Sequence, residues 1–314
     1  MITFLDCDNI ETVVSEVSDE RLDVFVSNAF TLTRSRSAML IGDGLVMVNG
    51  VQRKKNYSVA LGDVIEVAMP TPVEVDVVKE NIPLNIVYED SDLLVVNKEQ
   101  GMVVHPAPGH YSGTLVNALL YHISDLSGIN GALRSGIVHR IDKNTSGLLL
   151  VAKNDLAHFS LSEQIKEHSL DRFYEAVVHG TPHLSEGDVD YSIGRSKTDR
   201  KKMAAYPPNC SDAGVRKAFT HYEVIESYKS FSHLRLKLKT GRTHQIRVHM
   251  KAIGHPVVGD DVYAPSKLET FGLSGQCLHA KAIGFTHPRT GERLYFESEL
   301  PDYFTGVIKK LELK

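Results

Sequence analysis

Apolar positions in the first seventy residues fall into two short helical stripes and then into strand-like alternation. In "RLDVFVSNAF" Leu22, Phe25, Val26 and Phe30 stand at i, i+3, i+4 and i+8, the spacing of one helix face. The next stretch, "TRSRSAMLIGDG", starts at Thr33, whose hydroxyl suits an N-cap. It is expected to carry Met39, Leu40 and Ile41 inward and to stop at Gly42 and Gly44. "LVMVNGVQ" then alternates around an Asn-Gly pair, a strong two-residue hairpin signal, and "GDVIEVAMP" reads as a further strand. Two helices followed by a hairpin predict a small α/β module over residues 1–69.

From Pro70 to Pro83 the chain has three prolines and alternating charge without a stripe, which reads as a linker over 70–83. Residues 84–314 are richer in strands. "NIVYEDSDLLVVNK" reads as two short strands around an acidic turn, and "GTLVNALLYHI" as a helix starting near Thr114. "GLLLVAK" is a buried strand, and "NDLAHFSLSEQIKEHSL" a helix capped by Asn154 with Asp155 favourably set against the helix dipole. "RFYEAVVHG" is another strand, and "FTHYEVIESY" with "FSHLRLKLKTG" form an antiparallel pair. In "TGRTHQIRVHMKAIGHP", Ile246, Met250 and Ile253 make a stripe that ends at Gly254 and Pro256, with Arg247 beside it. Helices are interspersed without a strict βαβ rhythm and no fixed-period repeat is visible, so the expected class is α+β with a mixed, mainly antiparallel sheet.

Composition narrows the function classes. No run of eighteen or more apolar residues could span a bilayer as a helix, and the N-terminus mixes acids into its apolar residues, unlike a secretory signal. No membrane partner is expected, and the cytoplasm is the expected location. Cys7, Cys210 and Cys277 are widely spaced, which suits neither a disulfide framework nor a zinc site. Fifteen histidines include no H-E-x-x-H, so no metal is expected. A formal net charge of −4 means that any nucleic-acid surface must be local. Candidates are "TRSRS" with "RKK" at Arg53 to Lys55, and "RSKTDRKK" at Arg195 to Lys202, against the plainer reading of solvated faces. Arg34 and Arg36 stand where the first amides of a helix are free, a place that suits a phosphate.

The chemistry concentrates in "SGIVHRIDKNTSGLLLVAKN". Asp142 lies between the apolar "GIV" and the buried strand, in a turn read as Asn144 to Gly147, where a side chain is held rigidly at a cleft edge. The pattern leaves two readings open, a carboxylate capping the turn or a reactive one. Arg247, at a core edge, needs an anion, and Asp142 is the candidate, because a neighbouring guanidinium would hold a carboxylate ionised. A purely structural ion pair is the alternative.

The chain resembles the pseudouridine synthases of the RluA/RluD type over nearly its whole length. The resemblance rests on "HRIDKNTSGLLLVAKN", "GMVVHPAPGHYSGTLVNALL", "FYEAVVHG", "DRKKMA", "TGRTHQIRVHMKAIGHPVVGD" and "CLHAKAIGFTHPRTGE". The first module resembles the small S-four-type RNA-binding unit of a ribosomal protein. The resemblance implies a pseudouridine synthase catalytic domain that isomerises uridines in structured RNA, large-subunit ribosomal RNA foremost, without a cofactor. Transfer RNA as substrate, or a non-catalytic RNA-binding assembly factor, are the competing readings, and a monomer is expected. It further implies that Asp142 is the nucleophile, Arg247 its salt-bridge partner and Tyr174 the aromatic wall against the target base. Arg140 would help to extrude the nucleotide, and Arg200, Lys201 and Lys202 would belong to a basic loop that approaches RNA. Three departures stand out: Ile141 replaces the more usual leucine, "NKEQG" replaces N-K-P-x-G, and Met39 stands where a basic residue is more common.

Overall fold

The computed structural model describes residues 4, 9–69, 77–107, 109–129, 131 and 135–313. The chain divides into two units, Met1–Val75 and Asp76–Lys314. In the first, strand β1 (Ile10–Val14) precedes β2 (Glu20–Arg21), helices α1 (Leu22–Ala29) and α2 (Arg34–Gly42), and strands β3 (Val46–Val48), β4 (Val51–Gln52), β5 (Ser58–Val59) and β6 (Val64–Ala68). The sheet order is β1-β6-β3-β4, with β2 pairing β5 apart from it. Asn49 and Gly50 turn the β3–β4 hairpin with φ of 52° and 74°, the left-handed pair that a tight hairpin requires. Thr33 caps α2, its Oγ1 accepting from the Arg36 amide at 3.2 Å. Leu22, Val26, Leu40, Val48 and Ile65 form the core beneath.

Two local expectations change. Met39 is 45% exposed while Ser37 and Leu40 are fully buried, because the inward face of α2 runs through 37, 40 and 41 and leaves 39 on the opposite side. Strand β1 escaped the sequence reading because it is an edge strand, exposed along nearly its whole length, with no buried–exposed alternation to mark it.

The second unit contains β7 (Ile86–Glu89), β8 (Leu93–Lys98), α3 (Leu115–His122), β9 (Ser146–Ala152), α4 (Asp155–Lys166), β10 (Asp171–His179), β11 (Glu186–Val189), β12 (Ser192–Arg195) and β13 (Met203–Tyr206). It continues with β14 (Thr220–Ser227), β15 (Phe231–Leu238), α5 (Gln245–Ala252), β16 (Leu278–Thr286), β17 (Arg293–Glu297) and α6 (Asp302–Glu312). A nine-stranded sheet runs β11-β14-β15-β10-β16-β9-β8-β7, with β17 also paired to β16. Its one parallel pairing among the described residues sets β16 beside β9, and the others are antiparallel.

The central strands read as continuous apolar runs because helices cover both sheet faces. Leu94, Val96, Leu149 and Val151 point to the side packed by α3 and α5, and Leu93, Val95, Leu148 and Leu150 to the side packed by α4. Phe304 and Leu311 of α6 cover Val177. Asn154 caps α4 by accepting from the Ala157 amide, and Thr114 with Asn117 forms a capping box on α3, each cap contributing about 1 kcal/mol. Residues 70–76 of the expected linker lie outside the described residues. Those that follow are fastened to the second unit, with Asn117 Nδ2 donating to the Val78 carbonyl and the Glu80 amide to that of Asn117.

Candidate active site

Asp142 stands in the turn that enters β9, and the turn is anchored on both sides. Upstream, Ile137 bridges to Val151, and the Leu150 amide donates to His139 Nε2 at 2.9 Å. Burial pushes the His139 imidazole down to about 3, so its neutral ring accepts there. Downstream, the Thr145 amide donates to the Asp142 carbonyl at 3.1 Å. Ser146 and Gly147, expected in the turn, are instead the first residues of β9, because pairing with β16 begins at them. Gly147 has φ 112°, and a Cβ there would sit 2.3 Å from the Ala280 carbonyl oxygen, so the strand that aims Asp142 can approach β16 only as glycine.

Three side chains brace the turn. Lys98, 1% exposed, donates from Nζ to the carbonyls of Glu99, Met102 and Lys143 at 2.7, 2.9 and 3.1 Å. Burial pushes its ammonium down to about 7, opposed by the charges of Asp142 and Glu99. Gln100 Nε2 donates to the carbonyls of Asn144 and Gln276, and Gln276 Nε2 to Thr145 Oγ1. In "NKEQG", Glu99 stands at the proline position and offers its carbonyl to Lys98, while Gln100 beside it bridges to the turn.

Helix α5 brings Arg247. The helix opens at His244 in the left-handed region, and Gln245 ties it down by accepting from Thr240 Oγ1 and the Arg242 amide. Arg247 Nη1 donates to Asp142 Oδ2 at 3.0 Å, so the expected pair forms. The same guanidinium donates from Nε and Nη2 to both oxygens of Asp260, at 2.7 and 2.8 Å, and lies over the Tyr263 ring. Burial works against its charge, but the bonds and charge of Asp260, then those of Asp142, outweigh burial and raise it above the ordinary arginine value. The Asp142 side chain is 15% exposed and that of Asp260 fully buried. Among the described residues Asp142 Oδ1 has no hydrogen-bond partner, and the carboxylate caps no backbone amide. The Asp142 carboxylate therefore does not cap the turn.

A small cleft opens over this group, lined by Arg140, Asp142, Arg172, Tyr174, Arg242 and Arg247 among others. Tyr174 is 6% exposed at a register shift between β10 and β16, and burial pushes its hydroxyl up. Arg140 is exposed. Arg140, Asp142, Tyr174 and Arg247, expected in one site, thus share one cleft.

The remaining candidates lie elsewhere. Arg200, Lys201 and Lys202 occupy the exposed β12–β13 connection, where Asp199 accepts from the Lys201 amide and stands 4.0 Å from Lys202 Nζ, and none of them lines the cleft. In the first unit Arg34 is paired with Asp23, which Arg21 also contacts, and the Arg36 amide is taken by Thr33. Arg53, Lys54 and Lys55 line a separate hollow with Arg21. Asp90, Asp92 and His287 bring possible ligand atoms within 4.8 Å of one another, but His287 bonds Asp90 and Arg289 bonds Asp92, which makes the group a latch on the β7–β8 turn. Among the described residues no helix is long and apolar enough to cross a membrane.

Sequence reasoning missed Asp260, Lys98 and Arg172. Asp260 ends the block "HPVVGD", and its signal was the arginine itself, whose three-sided fork exceeds what one carboxylate can fill.

Sequence comparison agrees with the geometry. The family described as RNA pseudouridylate synthase matches residues 92–252, and the S4 domain family matches residues 20–65. The chain is 48% identical over 301 residues to the uncharacterized RNA pseudouridine synthase YlyB of Bacillus subtilis, covering 96% of this chain and 97% of that one. It is 44% identical to the ribosomal large subunit pseudouridine synthase D of Zymomonas mobilis, over 96% of each. The solved structure of human RNA pseudouridylate synthase domain containing 1 superposes with a TM-score of 0.56 at 26% identity, covering 78% of this chain and 98% of that one. With Asp142, Arg247 and Tyr174 gathered in one cleft inside the matched region, the chain belongs to the RNA pseudouridylate synthase family.

Proposed function

We propose that this RNA pseudouridine synthase acts on large-subunit ribosomal RNA and that Asp142 is its nucleophile. The observation that carries the reading is the Asp260–Arg247–Asp142 chain, which fixes one carboxylate in the cleft and leaves its Oδ1 unbonded. Among the described residues Asp142 is the one carboxylate that lines the cleft, and Asp260 is buried and occupied at both oxygens. Hydrolysis of a glycosidic bond would call for a second carboxylate and a poised water. Isomerisation needs one carboxylate and a dry wall, which Tyr174 supplies. A uridine must leave its stack to reach Asp142, and Arg140, exposed beside it, is suited to fill the vacancy.

Ribosomal RNA is favoured by the relatives named ribosomal large subunit pseudouridine synthase D and by the S4 domain at the N-terminus. Carbodiimide mapping of pseudouridine in total RNA, from cells with and without the gene, tests this. Loss of one or more large-subunit ribosomal sites is expected; loss confined to transfer RNA refutes the substrate assignment.

The exposed β12–β13 connection is taken to contact phosphates. Changing Lys201 and Lys202 to glutamine is expected to weaken RNA binding, each lost contact flattening the log–log salt dependence by about 0.7–0.9. Filter-binding titrations across salt concentrations measure the slope, and an unchanged slope removes both lysines from the interface.

A further inference from the structure

Among the described residues, a buried cation of the cleft, Arg172, has no counter-charge. Arg172 is 5% exposed on β10, two residues before Tyr174, and strand alternation puts the two side chains on one face. It lines the cleft, its Nε is buried without a hydrogen-bond partner, and it takes part in no ion pair among the described residues. A Cβ at residue 241 would lie 2.6 Å from Arg172 Nη1, so Gly241 makes the room for this guanidinium. Arg242 enters the same cleft, with Nε donating to the Lys217 carbonyl. Burial pushes both arginines down, and for Arg242 the charges of Arg216 and Arg172 add to it. An unpaired buried guanidinium is costly, and two that repel each other call for an anion between them. Asp142 does not supply it, being bonded to Arg247.

The nucleotide offers two anions. A phosphodiester belongs to the solvated strand at the mouth, where Arg140 is exposed; Arg172 is buried, on the same strand as Tyr174 and lining the same cleft. The base itself becomes anionic during the reaction. Breaking the C1′–N1 bond leaves the electron pair on N1, spread to O2 and O4; elimination at the sugar releases the same anion; carboxylate addition at C6 drives the charge to O4. Each route passes through a negatively charged uracil.

On the strength of the proposed reaction, we propose that Arg172, backed by Arg242, is a catalytic residue that binds the O2 or O4 edge of the target uracil and takes up the charge of the detached ring. The pair carried off on N1 returns when C5 bonds to C1′. C5 then gives up its proton, N1 gains one, and the Asp142 carboxylate is regenerated, so composition is unchanged. The same contact keeps the severed base from escaping while it turns.

The test compares single turnovers on RNA with uridine or 5-fluorouridine at the target, following consumption of the target nucleoside by chromatography. Fluorine acidifies the ring, so a fluorinated base bears its own charge better. Arg172→Met is expected to slow uridine turnover about 100-fold, as for loss of one oxyanion donor, and 5-fluorouridine clearly less, with RNA affinity and its salt dependence unchanged. Gly241→Ala, which crowds Nη1 while keeping the charge, gives the same pattern at smaller size and serves if Arg172→Met does not fold. Equal losses with both bases mean a structural role, and weaker binding at an unchanged rate means a phosphate contact; either overturns the assignment. An active wild type with an unaffected Arg172→Met overturns this role alone, whereas a wild type that makes no pseudouridine overturns the proposed function and this role with it.

Discussion

Asp142→Asn is expected to abolish pseudouridine formation while leaving the fold intact, with a loss of single-turnover rate on the order of 10⁴–10⁶, the range for removal of a covalent nucleophile. Asparagine has nearly the shape of aspartate, and its amide oxygen can still accept from Arg247 Nη1. Arg247 also keeps both bonds to Asp260, so no buried charge is orphaned. The stability cost should stay within about 1 kcal/mol, and a small gain would be unsurprising, since reactive groups are commonly held at the expense of stability. Release of the C5 hydrogen from labelled RNA follows the reaction, and thermal melting follows the fold. A variant that melts like the wild type yet still makes pseudouridine would remove Asp142 from the chemistry. RNA affinity is expected to persist, which separates this outcome from a binding defect.

Much of this was legible from residue order, and the gaps have physical causes. Helices α1 and α5 announced themselves by their apolar stripes, and α2, α3 and α4 by ends that use the local side chains Thr33, Thr114 and Asn154. The Asp142–Arg247 pair could be anticipated because an arginine at a core edge requires an anion. What stayed hidden depends on contacts between distant segments. The parallel step from β9 to β16 joins residues 133 positions apart, from Ser146 to His279, and no local pattern encodes it. Lys98 reads as a surface lysine after an apolar strand, yet it is 1% exposed, because three carbonyls converge on it only once the Asp142 turn folds over β8. Arg172 likewise looks like a strand-edge charge until alternation with Tyr174 turns it inward.

Arg247→Met separates the structural from the chemical work of the same arginine. Methionine fills much of the volume but leaves the fully buried Asp260 carboxylate with only the amides of Val262 and Tyr263 on Oδ1. An uncompensated buried charge should cost about 3–5 kcal/mol, far more than the exposed pairs elsewhere in the chain such as Lys166 with Glu163. Turnover should fall as well, on the order of 10²–10³, since Asp142 loses the group that fixes Oδ2. The two losses have different remedies. Adding Asp260→Asn removes the orphaned charge, so the double variant should regain most of the stability by denaturant melting while activity stays low. Residues in one network are not additive, and the sign of the coupling is therefore the measurement that counts. If activity returned along with stability, Arg247 would be a support for the fold only, and the carboxylate in the cleft would need no guanidinium to do its chemistry.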